Sequence, residues 1–331
     1  MPIRLNVCLW VAVAGLFALT GPILRASEKT PAPILTQNDP SEGDNLRTVA
    51  SVAAIDIPLA DAPVQTVDVK SPDGIDLTFA WRHPKGNAMC PAIVFLHGGG
   101  QHAPFEKLKR NLLNGSVQTR FLAKGFAVVE CTRRPFWKSP GNDSPVGFYD
   151  AVKDTALILE KVKTLPGVDK TKVALYGGSG GGILAIVTAS QTDVACVIAG
   201  EPAVVVPLAP DIGGHGGVAS YRAVMDEPGK YFTGARKNEI LAWMQKIACP
   251  VLVLQGKSVG LYKANFEVLI PEMKKLGKDI SSMAWPEVTH GFYFGGMRSG
   301  ATPELIDTIV KHSIEFIGRA TKSEQQAQGS F

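Results

Sequence analysis

Six short apolar runs constrain the fold of this chain more than anything else in it. They are Ala92–Leu96, Ala127–Glu130, Val173–Tyr176, Ala195–Ala199, Val251–Leu254 and a weaker one at Ser282–Trp285. Each is too short for an ordinary helix, and near-continuous apolar character suits parallel strands covered on both faces. Helical spacing fills the intervals, at Val117–Lys124, Tyr149–Thr164, Ile183–Ser190, Asn238–Ile247, Lys263–Leu276 and Pro303–Ala320. Pro166-Gly167 supplies a stop behind the second of these. Ahead of them, Val64–Val69 and Ile75–Trp81 alternate in period two around the turn Ser71–Gly74, which predicts a hairpin. The expected class is α/β, a mostly parallel central sheet with helices on both faces. In such sheets the functional residues lie beyond the carboxyl ends of the strands.

The residues just past each strand are therefore informative. After Val173–Tyr176 comes Gly177-Gly178-Ser179-Gly180-Gly181-Gly182 and then a helix, the G-x-S-x-G pattern in its strand–turn–helix setting. A serine on so sharp a turn is strained, and flanking glycines remove collisions with the neighbouring strand and helix. Ser179 is the expected nucleophile. The other reading, a glycine-rich phosphate cradle, lacks the lysine of a P-loop and the G-x-G-x-x-G spacing. After Ala92–Leu96 comes His97-Gly98-Gly99-Gly100, whose amides suit an oxyanion hole formed by Gly98, Gly99 and Gly180. His97 is expected to bond loop backbone. After the last strand comes Glu287-Val288-Thr289-His290-Gly291-Phe292, and a late loop reaching back over the sheet makes His290 the expected base. His215, flanked by glycines, is its only rival and is better suited to contacting substrate.

With these landmarks the chain resembles an α/β-hydrolase of the dienelactone hydrolase and prolyl-oligopeptidase-like branch, from about Val64 to Ala320. The resemblance is carried by FLHGGG at Phe95–Gly100, LYGGSGGG at Leu175–Gly182, CPVLVLQG at Cys249–Gly256 and HGF at His290–Phe292. It implies an α/β-hydrolase fold and a Ser-His-acid hydrolase working through an acyl-enzyme. One residue of that pattern is missing. The aspartate usual after the CPVLVLQG-type strand has no counterpart in Lys257-Ser258-Val259-Gly260-Leu261. Glu201, at the end of the preceding strand, preserves the chain order Ser, acid, His and is the favoured replacement. Asp211 and Glu287 are the other candidates, pairing of Glu201 with Arg133 is its structural alternative, and a site without any acid is the remaining option.

A long segment at about 202–246 separates two core strands and is expected to form a small lid. Tyr221 and His215 within it, with Trp137 from the Arg133–Gly147 stretch, are candidate substrate contacts. Cysteines 90, 131, 196 and 249 sit in or beside strands as small apolar residues, with a Cys196–Cys249 bridge an open alternative. No spacing resembles a metal site, and no cofactor is expected.

Residues 1–26 have the basic start, apolar middle and small-residue end of a secretory signal peptide; a retained anchor is the competing reading. The proline-bearing 27–63 stretch predicts a flexible arm and the polar 321–331 stretch a disordered tail. The chain of 331 residues is 45% hydrophobic and 19% charged, which excludes a disordered chain. A net charge of +4, with no basic block, argues against nucleic acid as a partner. The combined expectation is an exported, periplasmic or extracellular serine hydrolase. It has no stable membrane insertion after signal cleavage and acts on a small-molecule or carbohydrate-linked carboxylic ester. A small peptidase and a catalytically dead binding module are the alternatives.

Overall fold

The structure, a computed structural model, describes residues 34–35, 62–86, 88–99, 104–134, 147–209, 217–257, 259–296 and 299–328. The expected signal segment, most of the arm, and Trp137, Asp211 and His215 lie outside the described residues.

The strands are β1 (Ile34–Leu35), β2 (Gln65–Lys70), β3 (Asp76–Arg82), β4 (Cys90–Leu96), β5 (Ala127–Cys131), β6 (Val168–Gly178), β7 (Cys196–Gly200), β8 (Val251–Gln255) and β9 (Ile280–Ala284). They form one sheet in the order β1-β9-β8-β7-β6-β4-β5-β3-β2. From β5 to β9 every neighbouring pair is parallel, while β2, β3 and β1 add antiparallel edges. Helices α1 (Phe105–Asn114), α2 (Ser116–Ala123), α3 (Phe148–Val162) and α4 (Gly180–Thr188) link the first parallel strands. Between β7 and β8 lie α5 (Val205–Leu208), α6 (Gly217–Asp226), α7 (Pro228–Tyr231) and α8 (Gly234–Lys246). After β8, α9 (Val259–Lys263) runs through a π-helical turn at Ala264–Leu269 into α10 (Ile270–Lys275). The last helix, α11 (Pro303–Gln328), continues beyond Ala320, where the sequence pattern ends it.

Alternation along each strand divides the core in two. On β4, Ala92, Val94 and Leu96 pack with the buried residues of α3 and α4. Ile93 and Phe95 pack instead with Phe121 of α2 and Ile309 of α11. The near-continuous apolar strands of the sequence are thus strands with both faces covered. Helix α1 has no clear sequence signal. It buries only Leu108 and Leu112, four residues apart on a segment that also carries Glu106, Lys107, Lys109 and Arg110. Among its described residues the 202–246 segment carries the four helices α5 to α8, and its aromatics Tyr221, Tyr231 and Phe232 lie half-buried against the core.

The register fixes what meets at the carboxyl ends. Leu96 pairs with Gly177, Gly178 with Gly200, and Gly200 with Leu254. Helix α4 starts directly beneath the end of β4: a Cβ on Gly181 would lie 2.1 Å from the Leu96 carbonyl oxygen and 2.5 Å from that of His97. Those are backbone atoms and cannot swing aside. Gly181→Ala therefore lowers unfolding free energy by about 1–3 kcal/mol. By contrast, Gly318→Ala in α11, where an added Cβ meets nothing within 4 Å, raises it by about 0.5–1 kcal/mol. Urea unfolding of both variants checks the opposite signs.

Glu130 is the one charged residue in β5, and it is buried against α2, where Gln118 Nε2 donates to its Oε1 at 2.7 Å. Burial pushes its carboxyl up to about 8, so the folded protein holds a proton there that the unfolded chain releases near 4.5. Its stabilising contribution is complete below the unfolded value and is lost progressively as pH rises toward about 8. In urea titrations at several pH values, Glu130→Gln removes that decline.

Candidate active site

Strand β6 ends in Gly178 and α4 begins at Gly180, which leaves Ser179 alone to make the reversal. Its backbone sits at φ 54°, ψ −119°, held by its N–H on the Gly200 carbonyl (2.8 Å) and by its own carbonyl, which accepts from Ala203 N–H (3.0 Å). One register position along, Glu201 has φ 43°. Among the described residues these two are the non-glycine residues with positive φ. Strain of order 1–3 kcal/mol at each persists only where the surroundings over-determine it, and such residues cluster at functional sites.

Glu201 is fully buried, and its carboxylate faces His290. His290 Nδ1 lies 2.6 Å from Glu201 Oε2. With an ionised carboxylate as its partner, a neutral imidazole carries its proton on Nδ1 and leaves Nε2 as an acceptor. The other oxygen, Oε1, accepts from the Gly256 amide (3.2 Å) and from Gln255 Nε2 (3.2 Å) at the end of β8. The carboxylate thus starts from the end of β7 but is bound at the end of β8, where the family pattern would have put an aspartate. Arg133 is not its partner. The His290 loop is fastened to the same strand end, since Lys257 N–H bonds the Val288 carbonyl at 2.7 Å. Glu287 is exposed and is not in contact with the imidazole, and His290 itself is 45% exposed.

Tyr293 completes this corner. Its ring covers both Gly178 and Gly200, where an added Cβ would come within 2.0 and 2.2 Å of it. Its hydroxyl lies 3.4 Å from His290 Nε2, and its carbonyl accepts from the buried Tyr176 hydroxyl at 2.6 Å. Burial, then the nearby Glu201 charge, holds the Tyr293 phenol well above its ordinary range, so it is a neutral donor at any working pH. Tyr293 had no sequence signal beyond adjacency to the HGF motif.

The His97–Gly99 loop lies against the serine turn. A Cβ on Gly180 would be 2.6 Å from the Gly99 carbonyl oxygen, and one on Gly98 would be 3.4 Å from Ser179 Cβ. The amide of Gly180 is one of the first N–H groups of α4, which have no intrahelical acceptor. His97 Nδ1 bonds the Gly98 carbonyl at 2.9 Å, the backbone role expected of it. Arg133, buried just after β5, donates from Nη2 to the carbonyls of Gly99 (2.7 Å) and His97 (3.1 Å). Desolvation pulls its guanidinium down to about 10, which still leaves it charged at neutral pH. Arg133 is a second participant that residue spacing did not reveal.

Of the residues expected to contact substrate, Tyr221 on α6 is half-buried against the core. Its helix packs on the segment after β8, with Met225 against Gly260. A cavity of about 780 Å³ lined by Glu160, Lys163, Thr192 and Asp193 lies at the amino end of β7, the opposite end from Ser179.

Residues 81–199 match the family model described as BD-FAE, a span that holds both glycine motifs and ends just before Glu201. Among solved structures, the chain is similar to brefeldin A esterase, a bacterial homologue of human hormone sensitive lipase. The TM-score is 0.58 at 17% identity, over 83% of this chain and 80% of that one. It is also similar to esterase B from Lactobacillus rhamnosis, with TM-score 0.55 at 18% identity, over 82% and 93%. For the acylaminoacyl peptidase of Pyrococcus horikoshii the TM-score is 0.56 at 16% identity, but the match spans 78% of this chain and only 42% of the peptidase. The sheet order and these likenesses show that the chain has the α/β-hydrolase fold.

Proposed function

We propose that the protein is an exported serine hydrolase that cleaves carboxylic esters, of a small molecule or linked to carbohydrate, through an acyl-enzyme. The observation that carries this reading is the 2.6 Å contact between His290 Nδ1 and the buried Glu201 carboxylate, beside a strained serine turn. In the proposed mechanism Ser179 Oγ attacks the ester carbonyl while His290 Nε2 takes its proton. Glu201 fixes the Nδ1–H tautomer and stabilises the imidazolium that forms. The amides of Gly180 and of Gly98 or Gly99 receive the developing oxyanion, the positive end of α4 adding to their effect. His290 then returns the proton to the leaving alcohol. In the second half it deprotonates the water that attacks the acyl carbon, and Ser179 leaves as a hydroxyl.

Esters are favoured over peptides by likeness in extent. The esterases match over most of their own length, the peptidase over less than half of its own. The peptidase likeness keeps a small aminopeptidase as the second reading, and an aminoacyl anilide assayed beside a short-chain chromogenic ester separates the two.

Ester hydrolysis by the mature protein falls at least about 1,000-fold in Ser179→Ala, and by about 100-fold to 10,000-fold in Glu201→Gln, which disturbs the tautomer but not the nucleophile. Glu201→Gln activity within threefold of wild type would show that Glu201 is not the acid. Arg133 acts at one remove, by holding the oxyanion loop. Arg133→Met lowers kcat by about 10-fold to 100-fold with KM little changed, and Arg133→Lys recovers part of the loss. An unchanged kcat in a folded Arg133→Met variant would exclude that role.

A further inference from the structure

Behind Glu201 runs a chain of buried amides that the proposed mechanism does not use. Gln255 is the last residue of β8 and Asn265 lies in the π-helical turn, and both are fully buried. Gln255 Nε2 donates to Glu201 Oε1 (3.2 Å) and to the Gly256 carbonyl (3.1 Å), while its Oε1 accepts from Asn265 Nδ2 at 3.0 Å. Buried primary amides like these are retained in cores when each has a specified partner, and apolar residues of the same shape would otherwise serve as well.

The orientation of each amide follows from the one before it. An ionised Glu201 accepts only, so Gln255 must present its NH₂ to the carboxylate. Its carbonyl then faces away from the site, and Asn265 must present its own NH₂ to that oxygen. Asn265 Oδ1 is left, among the described residues, as a buried acceptor with no partner. An unsatisfied acceptor costs about as much as the bond on the other side gains, so the pair is poorly explained as packing alone. The backbone is arranged to make this contact. Ile270 N–H bonds the Asn265 carbonyl five residues back, the signature of a π turn, and Pro271 has no N–H with which to continue the ordinary ladder. Single π turns inside helices recur at functional sites.

We propose that Gln255 and Asn265 are positioning residues that fix the rotamer of Glu201, and through it the ring of His290. The inference rests on Ser179, His290 and Glu201 as the catalytic set. Glu201 leaves β7 with a strained backbone and reaches across to the neighbouring strand. A carboxylate anchored so indirectly needs a second attachment, which the Gln255 amide and the Gly256 N–H provide together. The formal charges on the surrounding elements, Lys257, Lys263, Glu267 and Glu287, are all exposed, so the amides and Tyr293 are the polar side chains that share this corner with the pair.

The test uses Gln255→Met and Asn265→Leu, each close in shape to the original. It also uses the Gln255→Met/Asn265→Leu double variant, which removes both partners at once and leaves no orphan between them. The first readout is the far-downfield proton NMR resonance of His290 Nδ1–H against the carboxylate, assigned by its loss in His290→Gln. It needs no substrate and so is independent of whether the protein is an esterase. The second is the split between kcat and KM on the ester. In Gln255→Met and in the double variant the resonance shifts upfield or broadens beyond detection, and kcat falls about 10-fold or more with KM within about twofold. Asn265→Leu, which removes the donor to Gln255 Oε1, moves the resonance and lowers kcat in the same direction by a smaller factor. A resonance and kcat that stay at wild-type values in folded variants would overturn the proposal. A protein inactive on every ester that still loses the resonance in Gln255→Met would refute the esterase reading and leave the positioning role standing.

Discussion

A carboxylate enclosed in protein is unfavourable unless every lone pair it exposes is met by a donor. Glu201 is fully buried, and its three donors come from two separate parts of the chain: the imidazole N–H of His290 after β9, and the Gly256 amide with the Gln255 side chain at the end of β8. That requirement joins the ends of β7 and β8 to the loop after β9. Removing any one donor leaves a charge with too little compensation, whereas the complete set holds the imidazole in one tautomer without further help. The parallel register of β6, β7 and β8 makes the arrangement reachable, because it sets Gly178, Gly200 and Leu254 side by side.

Two strained residues and one aromatic wedge arise from the same geometry. Ser179 and Glu201 each turn out of a strand through positive φ, and each is preceded by a glycine over which the Tyr293 ring lies. Tyr293 is next but two to His290, so a single short helix, Phe292–Phe294, ties His290 to both strand ends. On the far side of the serine, Arg133 does for the glycine loop what Gln255 does for the carboxylate. It supplies buried donors to backbone carbonyls that would otherwise face apolar surroundings. Substitutions at these two positions act through distinct groups, the oxyanion loop and the imidazole, and their effects on kcat are expected to differ in substrate dependence.

Much of the fold was legible because its signals are local. Strands buried on both faces are short and apolar, and sharp turns need glycine, so β4 to β9, the Ser179 turn and the His97 loop all stand out in the sequence. His290 is the expected base in the sequence by its position after the last strand. Glu201 is favoured in the sequence by chain order and its place at a strand end, but a glutamate before a proline carries no pattern of its own and its φ of 43° cannot be read from composition. The supporting residues were not legible at all. Gln255 interrupts nothing in an apolar strand, Asn265 depends on a π turn that shifts its direction by one residue, and Arg133 looks like any arginine at a strand end. Their roles arise from contacts between residues far apart in the chain, and local propensity contains no information about those. Helix α1 is silent in the sequence for a related reason, because its buried stripe is only two leucines wide.

The central claim is that Ser179 is a nucleophile activated by His290. It is tested most directly by reaction of the intact protein with a fluorophosphonate, followed by mass spectrometry of the whole chain and of its peptides. The expected result is one phosphonyl group per chain, carried on Ser179, and labelling slowed by orders of magnitude in His290→Gln. No labelling of the folded protein, or a label on a different residue that persists in Ser179→Ala, would contradict it.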